Sequence, residues 1–359
     1  MDFSFFKNKK IFISGHTGFK GSWLCFWLNK LGAEVYGFSD IEQESPSAFN
    51  SMNIKSFLKA DLRGDVSNFK EINNALNDIN PDIVFHLAAQ ALVGKSIEDP
   101  LHTFKVNSLG TLNIAFALSN ISSPIIFVCI TSDKVYENFE WIWGYRENDI
   151  LGGKDPYSAS KSMAEIGLRA LFKTNFKNST NLKIAIARAG NVIGGGDWSE
   201  GRIVPDAMKA WNKNNILKVR SPNSTRPWQH VMEPLGGYLT LAKWLSDNKN
   251  SGEVEAFNFG PKKQENYTVK DVLVELKKHW KAAKWSTEND NNFYESTLLS
   301  LNCTKAKKML NWEAKLQFRE NIRLTAEWYK KFYEHEGRSV WDLTSDQIDF
   351  YQSKLKKRY

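Results

Sequence analysis

The stretch Lys10-Ile11-Phe12-Ile13-Ser14-Gly15-His16-Thr17-Gly18-Phe19-Lys20-Gly21 leads an apolar run into glycines spaced Gly-x-x-Gly-x-x-Gly. The next segment, Ser22 to Leu31, places large apolar residues at helical spacing. Strand, glycine loop and helix in this order predict a dinucleotide-binding unit. Glycine permits a tight turn and lets the backbone approach a pyrophosphate at the helix N-terminus. A glycine-rich turn that only packs closely is the alternative interpretation.

The alternation of apolar strands with helices continues outward from this stretch. Further strands are expected at 34–38, 82–87, 124–130 and 183–187, and helices near 69–79, 100–118 and 158–172. Apolar strands separated by helices are typical of a parallel sheet with both faces covered. We therefore expect an α/β protein with a Rossmann doubly wound parallel sheet over residues 1–190, rejoined by about 231–259. A smaller α/β substrate-binding lobe is expected over 191–359.

Composition excludes several classes of protein. The 359 residues carry 48 Lys+Arg and 40 Asp+Glu, and the net charge of +8 is spread along the chain rather than gathered into a nucleic-acid-binding patch. The three cysteines are far apart and lack zinc-ligand spacing, which favours a reducing compartment and no metal site. No apolar run approaches the ~18 residues of a membrane span, and the N-terminus lacks a signal-peptide pattern. We expect a soluble, cytoplasmic protein that binds neither nucleic acid nor membrane.

Other strand ends offer further contacts for a dinucleotide. An acidic residue about 20 positions after the loop would bind the adenosine ribose and favour NAD over NADP. Asp40 is the nearest candidate, although it could equally cap a turn, and Asp61 with Leu62 could meet the adenine. The cofactor-binding residues are predicted to be Gly15, His16, Thr17, Gly18, Phe19, Lys20, Gly21, Asp40, Asp61, Leu62, Ala88, Ala89, Gln90, Tyr157 and Lys161.

A candidate catalytic group combines a helix with a strand end. Tyr157 and Lys161 lie four residues apart, so on a helix they share a face, and a cation beside a phenol is expected to lower its pKa. Ser132, Asp133 and Lys134 follow an apolar strand and would face the same crevice. Either pair alone could be solvated surface. After a dinucleotide loop, they favour acid–base chemistry on a sugar hydroxyl.

The chain resembles the extended short-chain dehydrogenase/reductase family, and within it the nucleotide-sugar 4,6-dehydratases, from about Lys9 to Trp328. The resemblance is carried by the glycine loop with Ser22-Trp23, His86-Leu87-Ala88-Ala89-Gln90, Thr131-Ser132-Asp133-Lys134-Val135-Tyr136-Glu137-Asn138, Trp143-Gly144-Tyr145-Arg146-Glu147-Asn148, Tyr157 with Lys161, Ala189-Gly190-Asn191-Val192-Ile193-Gly194-Gly195-Gly196-Asp197-Trp198 and Arg226-Pro227-Trp228-Gln229-His230-Val231.

The resemblance implies dehydration by internal redox. Tyr157 would remove the C4 hydroxyl proton while NAD takes the C4 hydride. Ser132 would hydrogen-bond the C4 oxygen, and Asp133 would protonate the leaving C6 hydroxyl. Lys134 stands where most such dehydratases carry the glutamate that removes the C5 proton, and a lysine there resembles the branch acting on CDP-glucose. Lys134 could be the C5 base, or it could orient another group.

The resemblance also implies the substrate, its binding residues and the assembly. CDP-glucose or a related nucleotide sugar is expected as the substrate, and a homodimer or tetramer as the assembly. The candidate substrate-binding residues are Asn191, Arg202, Arg220, Arg226 and His230. For His16, His86 and His230 a structural role is the favoured interpretation. The alternative function is a related nucleotide-sugar 4-epimerase, or a dehydratase for another sugar nucleotide.

Overall fold

The computed structural model describes residues 3–40, 46–176, 181–248, 252–262, 267–281, 283–288, 298–334 and 340–356. Its strands are β1 Lys10–Ser14, β2 Glu34–Ser39, β3 Ala60–Arg63, β4 Ile83–His86, β5 Ile125–Ile130, β6 Leu182–Ala189, β7 Val192–Ile193, β8 Leu217–Val219, β9 Thr225–Arg226, β10 Gln229–His230, β11 Glu255–Phe259, β12 Tyr267–Thr268 and β13 Trp285–Thr287. Its helices are α1 Phe19–Lys30, α2 Ala48–Ser51, α3 Phe69–Ile79, α4 Val93–Glu98, α5 Pro100–Phe104, α6 Gly110–Ser119, α7 Pro156–Thr174, α8 Ile203–Asn212, α9 Met232–Asp247, α10 Val269–Lys277, α11 Thr304–Leu310, α12 Phe318–Glu334 and α13 Val340–Lys356.

The centre of the protein is a parallel sheet in the order β11-β6-β5-β4-β1-β2-β3. The chain runs from β1 outward to β3 and then returns to β4 on the other side of β1, so β1 and β4 flank a switch point. A crevice opens at the carboxyl ends of the strands at such a point, and open α/β sheets bind ligands there. The predicted Rossmann class with added smaller elements is confirmed.

The segment predicted as one helix over 100–118 is interrupted by a π-helical turn. α5 passes into a π-turn over Lys105–Leu109 before α6 begins. Single π-turns inside α-helices are rare and often lie at functional sites. This turn contains Asn107, whose side chain accepts from the Gln90 N–H at 2.8 Å and donates to the Gln90 carbonyl at 2.9 Å. The turn therefore fixes the loop that follows β4.

Residues beyond 190 return to the sheet. β11 pairs with β6 in parallel, and α9 precedes it. The remaining short strands form two-stranded pairs, β10 with β7, β12 with β9 and β13 with β8. The division into lobes at 1–190 and 191–359 stays a prediction.

The polar C-terminal tail forms helix α13, which is anchored to α9 through a buried carboxylate. Glu233 Oε2 accepts from the Tyr351 hydroxyl at 2.6 Å, and Oε1 accepts from the N–H groups of Lys315 and Leu316 at 2.7 and 2.5 Å. Burial raises the pKa of Glu233 to about 7, although these donors oppose the shift. Tyr351 also packs edge-on against Trp27 of α1, so the tail supports the helix that follows the glycine loop.

The cysteines are free thiols, and Cys25 and Cys129 are buried. Burial raises the pKa of Cys129 and of the partly buried Cys303 to about 12. In the described ranges, no helix is long and apolar enough to cross a membrane. Nor do the described residues contain a group of three or more His, Cys, Asp or Glu side chains that could hold a metal ion.

Candidate active site

The glycine loop forms a tight cradle between β1 and α1. Gly15 has a φ of +76°, and a Cβ at this position would lie 2.6 Å from the Ala88 backbone nitrogen. A Cβ at Gly21 would overlap the Gly15 carbonyl, whereas Gly18 is exposed. No side chain caps the N-terminus of α1, so its backbone N–H groups are available to an anion. The cradle therefore fits the pyrophosphate of a dinucleotide.

Polar side chains surround the far end of this cradle. Thr17 Oγ1 and Ser39 Oγ are 2.8 Å apart, and His16 Nε2 is 2.8 Å from Asp61 Oδ1. Burial alone would raise the pKa of Asp61, but the hydrogen bonds of His16 and Arg63 hold it below its usual value. His16 therefore has the structural contact that the sequence favoured. Asp61 is already engaged by protein groups, and Leu62 beside it is half-buried.

Asp40 is exposed directly after β2, at the carboxyl edge of the sheet. Its backbone carbonyl accepts from Arg63 Nη1 at 3.3 Å. This placement is compatible with the ribose contact expected of Asp40. The choice between Asp40 and Asp61 as the carboxylate that binds the ribose stays a prediction.

The loop after β4 lies on the other side of the crevice. Ala88 and Ala89 are half-buried there, and Gln90 Nε2 donates to Thr103 Oγ1 at 3.0 Å. His86, the last residue of β4, lies between the Ser14 hydroxyl at 2.6 Å and the Thr111 hydroxyl at 2.9 Å. Burial lowers the His86 pKa to about 3, so His86 is a neutral structural side chain.

Asp133 is a buried carboxyl with one oxygen unsatisfied. Its Oδ1 accepts from the Ser132 hydroxyl at 3.0 Å. Its Oδ2 is buried and has no hydrogen-bond partner among the described residues. Burial raises the Asp133 pKa, against the opposing effects of Lys134, Ser132, Arg226 and Lys20. A buried acid with a raised pKa and a free oxygen is suited to proton donation.

Tyr157 and Lys161 begin the long helix α7, whose Asp155 N-cap accepts from the Ser158 N–H at 2.9 Å. Burial raises the Tyr157 pKa, and the Ser132 hydroxyl and the Arg202 guanidinium oppose that rise. Lys161 Nζ donates to the Ile130 carbonyl at 3.3 Å, and burial lowers its pKa. The Tyr157 pKa is therefore raised in this structure and not lowered as the sequence predicted, because desolvation of the phenol outweighs the Ser132 hydroxyl and the Arg202 guanidinium.

Lys20 has an environment that the sequence did not reveal. Burial lowers its pKa to about 8, and the charges of Arg202 and Lys161 act in the same direction, while Asp133 and Asp197 oppose them. From the sequence, Lys20 is predicted to bind the cofactor only as a member of the glycine loop. The available signal was that Lys20 is the only lysine or arginine in the Gly15–Gly21 loop. The structure adds this side chain to the electrostatic environment of Asp133.

The proposed substrate-binding residues fall into different settings. Arg226 in β9 is buried, and its charge reaches Asp133. Arg202 Nη1 lies 3.0 Å from Asp197 Oδ2, and its charge reaches Tyr157. Both arginines therefore lie near the catalytic group.

Asn191 and Arg220 are less closely tied to the catalytic group. Asn191 is half-buried just after β6, and its carbonyl accepts from the Gln229 N–H at 3.1 Å. Arg220 is exposed directly after β8. Their roles in substrate binding stay predictions.

His230 occupies an interior position. Its ring is fully buried and packs edge-on against Trp23 at 5.7 Å, and burial lowers its pKa to about 3. Its Nδ1 faces the Met232 N–H at 3.4 Å. The substrate contact expected of His230 stays a prediction, although a ring enclosed in this way offers no surface to a ligand in this structure. The position matches the structural role that the sequence favoured.

A parallel sheet of this order, with a glycine loop and a Tyr-x-x-x-Lys helix at one crevice, is the architecture of an extended short-chain dehydrogenase/reductase. Within that class the chain belongs to the GDP-mannose 4,6 dehydratase family, whose family model matches residues 12–325.

Known proteins share both sequence and fold with the chain. It is 38% identical over 359 residues to the CDP-glucose 4,6-dehydratase of Salmonella typhimurium, covering 98% of this chain and 99% of that protein. It is 26% identical to the UDP-glucose 4-epimerase of Mycoplasma genitalium, over 75% of this chain and 82% of that protein. In fold it is similar to the UDP-glucose-4-epimerase of Stenotrophomonas maltophila, solved with bound NAD and formylated UDP-arabinopyranose. That similarity has a TM-score of 0.79 at 18% identity and covers 91% of this chain and all of that one.

Proposed function

We propose that this protein is a nucleotide-sugar 4,6-dehydratase that converts CDP-glucose to CDP-4-dehydro-6-deoxyglucose and water. The observation that carries the proposal is the buried Asp133 carboxyl, whose Oδ2 has no hydrogen-bond partner among the described residues and whose charge acts on Tyr157. The 38% identity to a CDP-glucose 4,6-dehydratase along almost the whole chain supports the substrate.

NAD is the cofactor that the site fits. The Gly15–Gly21 loop and the N-terminus of α1 would hold its pyrophosphate, with Asp40 or Asp61 near the adenosine and Ala88 and Ala89 along the cleft. A bound NAD would supply the hydride acceptor for C4 of the sugar and the hydride donor for C6. Because the same cofactor is restored within one turnover, no net reduced cofactor is expected.

The chain's own residues would move the protons. Tyr157 would remove the proton of the C4 hydroxyl, and Ser132, whose hydroxyl opposes the rise of the Tyr157 pKa, would hydrogen-bond the C4 oxygen. The resulting ketone acidifies the C5 hydrogen, which the unprotonated amine of Lys134 would accept as a proton and give back to C5 once the hydride reaches C6. Asp133 donates its proton to the departing C6 hydroxyl, which leaves as water. Arg226 and Arg202 would bind the diphosphate, because guanidinium groups pair well with phosphate oxygens.

An epimerase is the competing function, which the 26% identity to a UDP-glucose 4-epimerase favours. Epimerisation at C4 needs the tyrosine and the cofactor, but it does not need a buried acid at the C6 hydroxyl. The Asp133 geometry therefore favours elimination.

The test is incubation of the purified protein and NAD with CDP-glucose, and separately with UDP-, dTDP- and GDP-sugars. Mass spectrometry should show loss of one water from CDP-glucose without net gain of absorbance at 340 nm. An isomer of unchanged mass would assign the protein to the epimerases. Water loss only from another nucleotide sugar would keep the reaction and replace the substrate.

We also propose a homo-oligomer, a dimer or tetramer, that works in the cytoplasm. Exposed apolar side chains lie on neighbouring helices of the α5–α7 region: Leu101 is 80% exposed, Ile166 55%, Met163 51% and Leu109 46%. Such a surface is more typical of a subunit interface than of free solvent. Light scattering on the wild type and on the double variant Leu101→Glu with Ile166→Glu tests the oligomer, and a monomeric wild type would reject it.

The free cysteines support the proposed cytoplasmic location, because they favour a reducing compartment.

A further inference from the structure

A buried ion pair joins α7 to β6 beneath the candidate active site. Arg188 Nε lies 2.9 Å from Glu165 Oε1, and Arg188 Nη2 lies 2.5 Å from Glu165 Oε2. Both side chains are fully buried. A buried guanidinium that grips a carboxylate with two nitrogens has a fixed geometry, because desolvated charges cannot separate without a large penalty.

This ion pair holds both ends of the segment that carries the elimination residues. Before Ser132-Asp133-Lys134, Thr131 donates its hydroxyl to Glu165 Oε1 at 2.7 Å. After that segment, Tyr136 accepts from Arg188 Nη1 at 2.7 Å and donates to Asn258 Oδ1 at 2.7 Å. The segment from Thr131 to Tyr136 is therefore attached to the same pair at its first and last residue.

The same ion pair is part of the helix that carries the redox residues. Glu165 follows Lys161 by four positions and Tyr157 by eight, so the three lie along one face of α7. Arg188 also donates to the Glu147 carbonyl at 3.0 Å, which ties in the loop between Tyr136 and α7. The Glu165–Arg188 ion pair thus fixes the positions of Tyr157 and Asp133 relative to each other.

We propose that Glu165 and Arg188, with Thr131 and Tyr136, are positioning residues that hold the elimination group in register with the redox tyrosine. Their role is to commit the oxidised sugar to water loss before it leaves the site. This inference rests on the proposed dehydratase function. None of these side chains is proposed to touch the substrate.

The experiment compares Thr131→Val with Thr344→Val. Thr131→Val removes one buried hydrogen bond to Glu165 and keeps the shape of the side chain. Thr344→Val is the control at a buried threonine far along the chain in α13, whose hydroxyl accepts from Trp328 Nε1 at 2.9 Å and donates to the Val340 carbonyl at 2.6 Å. Both variants should lose similar thermal stability. Asp133→Asn serves as the reference for an enzyme that oxidises but eliminates poorly.

The readout is the fate of CDP-glucose oxidised at C4. In Thr131→Val we expect water loss to slow about 10-fold, with absorbance at 340 nm building up and a 4-keto sugar nucleotide, two hydrogens lighter than substrate, released. Thr344→Val should give the same ratio of dehydrated product to released 4-keto sugar nucleotide as the wild type. Tyr136→Phe, which removes only the hydroxyl at the other end of the segment, should repeat the Thr131→Val pattern and covers the case in which that variant does not fold.

The outcomes separate the two proposals. The positioning role alone would be overturned if the wild type eliminates water and Thr131→Val and Tyr136→Phe release no more 4-keto sugar nucleotide, relative to dehydrated product, than the wild type does. The same is true if Thr344→Val leaks the 4-keto product equally, because the effect would then be general loosening. A wild type that oxidises no nucleotide sugar would overturn the proposed function and the positioning role together.

Discussion

Replacing Glu233 by Gln should make the protein more stable at neutral pH. Glu233 is buried between α9, the residues at 315–316 and Tyr351 of α13. A glutamine amide can keep this arrangement, since its oxygen can accept from the two backbone N–H groups and its nitrogen can donate to the Tyr351 hydroxyl. The substitution therefore removes an ionisable group with little change in packing.

The magnitude follows from the change in pKa on folding. Burial moves the Glu233 pKa from its ordinary 4.5 to about 7. Well below pH 4.5 the carboxyl is protonated in both states, and the penalty is absent. As pH rises towards 7, the unfolded chain releases the proton first, so the free energy of unfolding falls. At about 1.4 kcal/mol per pH unit, the full penalty is about 3 kcal/mol above pH 7.

Urea unfolding of wild type and Glu233→Gln between pH 5 and 8 measures this effect. The difference in free energy of unfolding should grow by about 2.5 kcal/mol in favour of the variant across that range, because part of the penalty is already present at pH 5. Glu320→Gln is the matched control: hydrogen bonds from Gln317 and Lys354, opposed by burial, hold the Glu320 pKa below its usual value, so its difference from wild type should stay flat. Parallel curves for wild type and Glu233→Gln would refute the reasoning.

Further predictions concern the candidate active site. Gly15→Ala should lose cofactor binding by at least 10-fold, measured by calorimetry, because its Cβ would lie 2.6 Å from the Ala88 nitrogen at a φ of +76°; unchanged affinity would contradict the cradle. Tyr157→Phe should abolish turnover while NAD still binds, and residual turnover would assign the proton transfer elsewhere. Since the Lys20 pKa is about 8, its ammonium should favour a bound diphosphate below that pH. NAD affinity should therefore weaken from pH 7 to 9 in the wild type. It should weaken less in Lys20→Arg, and Lys20→Met should show no such trend. Identical trends in all three proteins would exclude Lys20 as the cause of the pH dependence.

The sequence was sufficient where chemistry depends on local spacing. The glycine loop, the strands and the Tyr157–Lys161 helix follow from short-range patterns, and the structure forms them as predicted. The Glu165–Arg188 pair could not be found in this way, because it joins residues 23 apart on two elements whose contact only the fold defines. The predicted lowering of the Tyr157 pKa was wrong for a related reason. Desolvation depends on the whole surrounding packing, whereas a neighbouring cation can be read from spacing.

Cys129 gives the protein an internal probe of its own opening. It lies in β5, two residues before Thr131, and its thiol is buried with a pKa of about 12. Alkylating reagents attack the thiolate, so in the closed sheet this side chain is protected both by enclosure and by its protonation. The rate at which it is labelled would therefore count transient separations of the sheet directly under the catalytic segment. The alkylation rate of this native cysteine would therefore measure how often the sheet opens beneath the Thr131–Tyr136 segment, without an introduced cysteine.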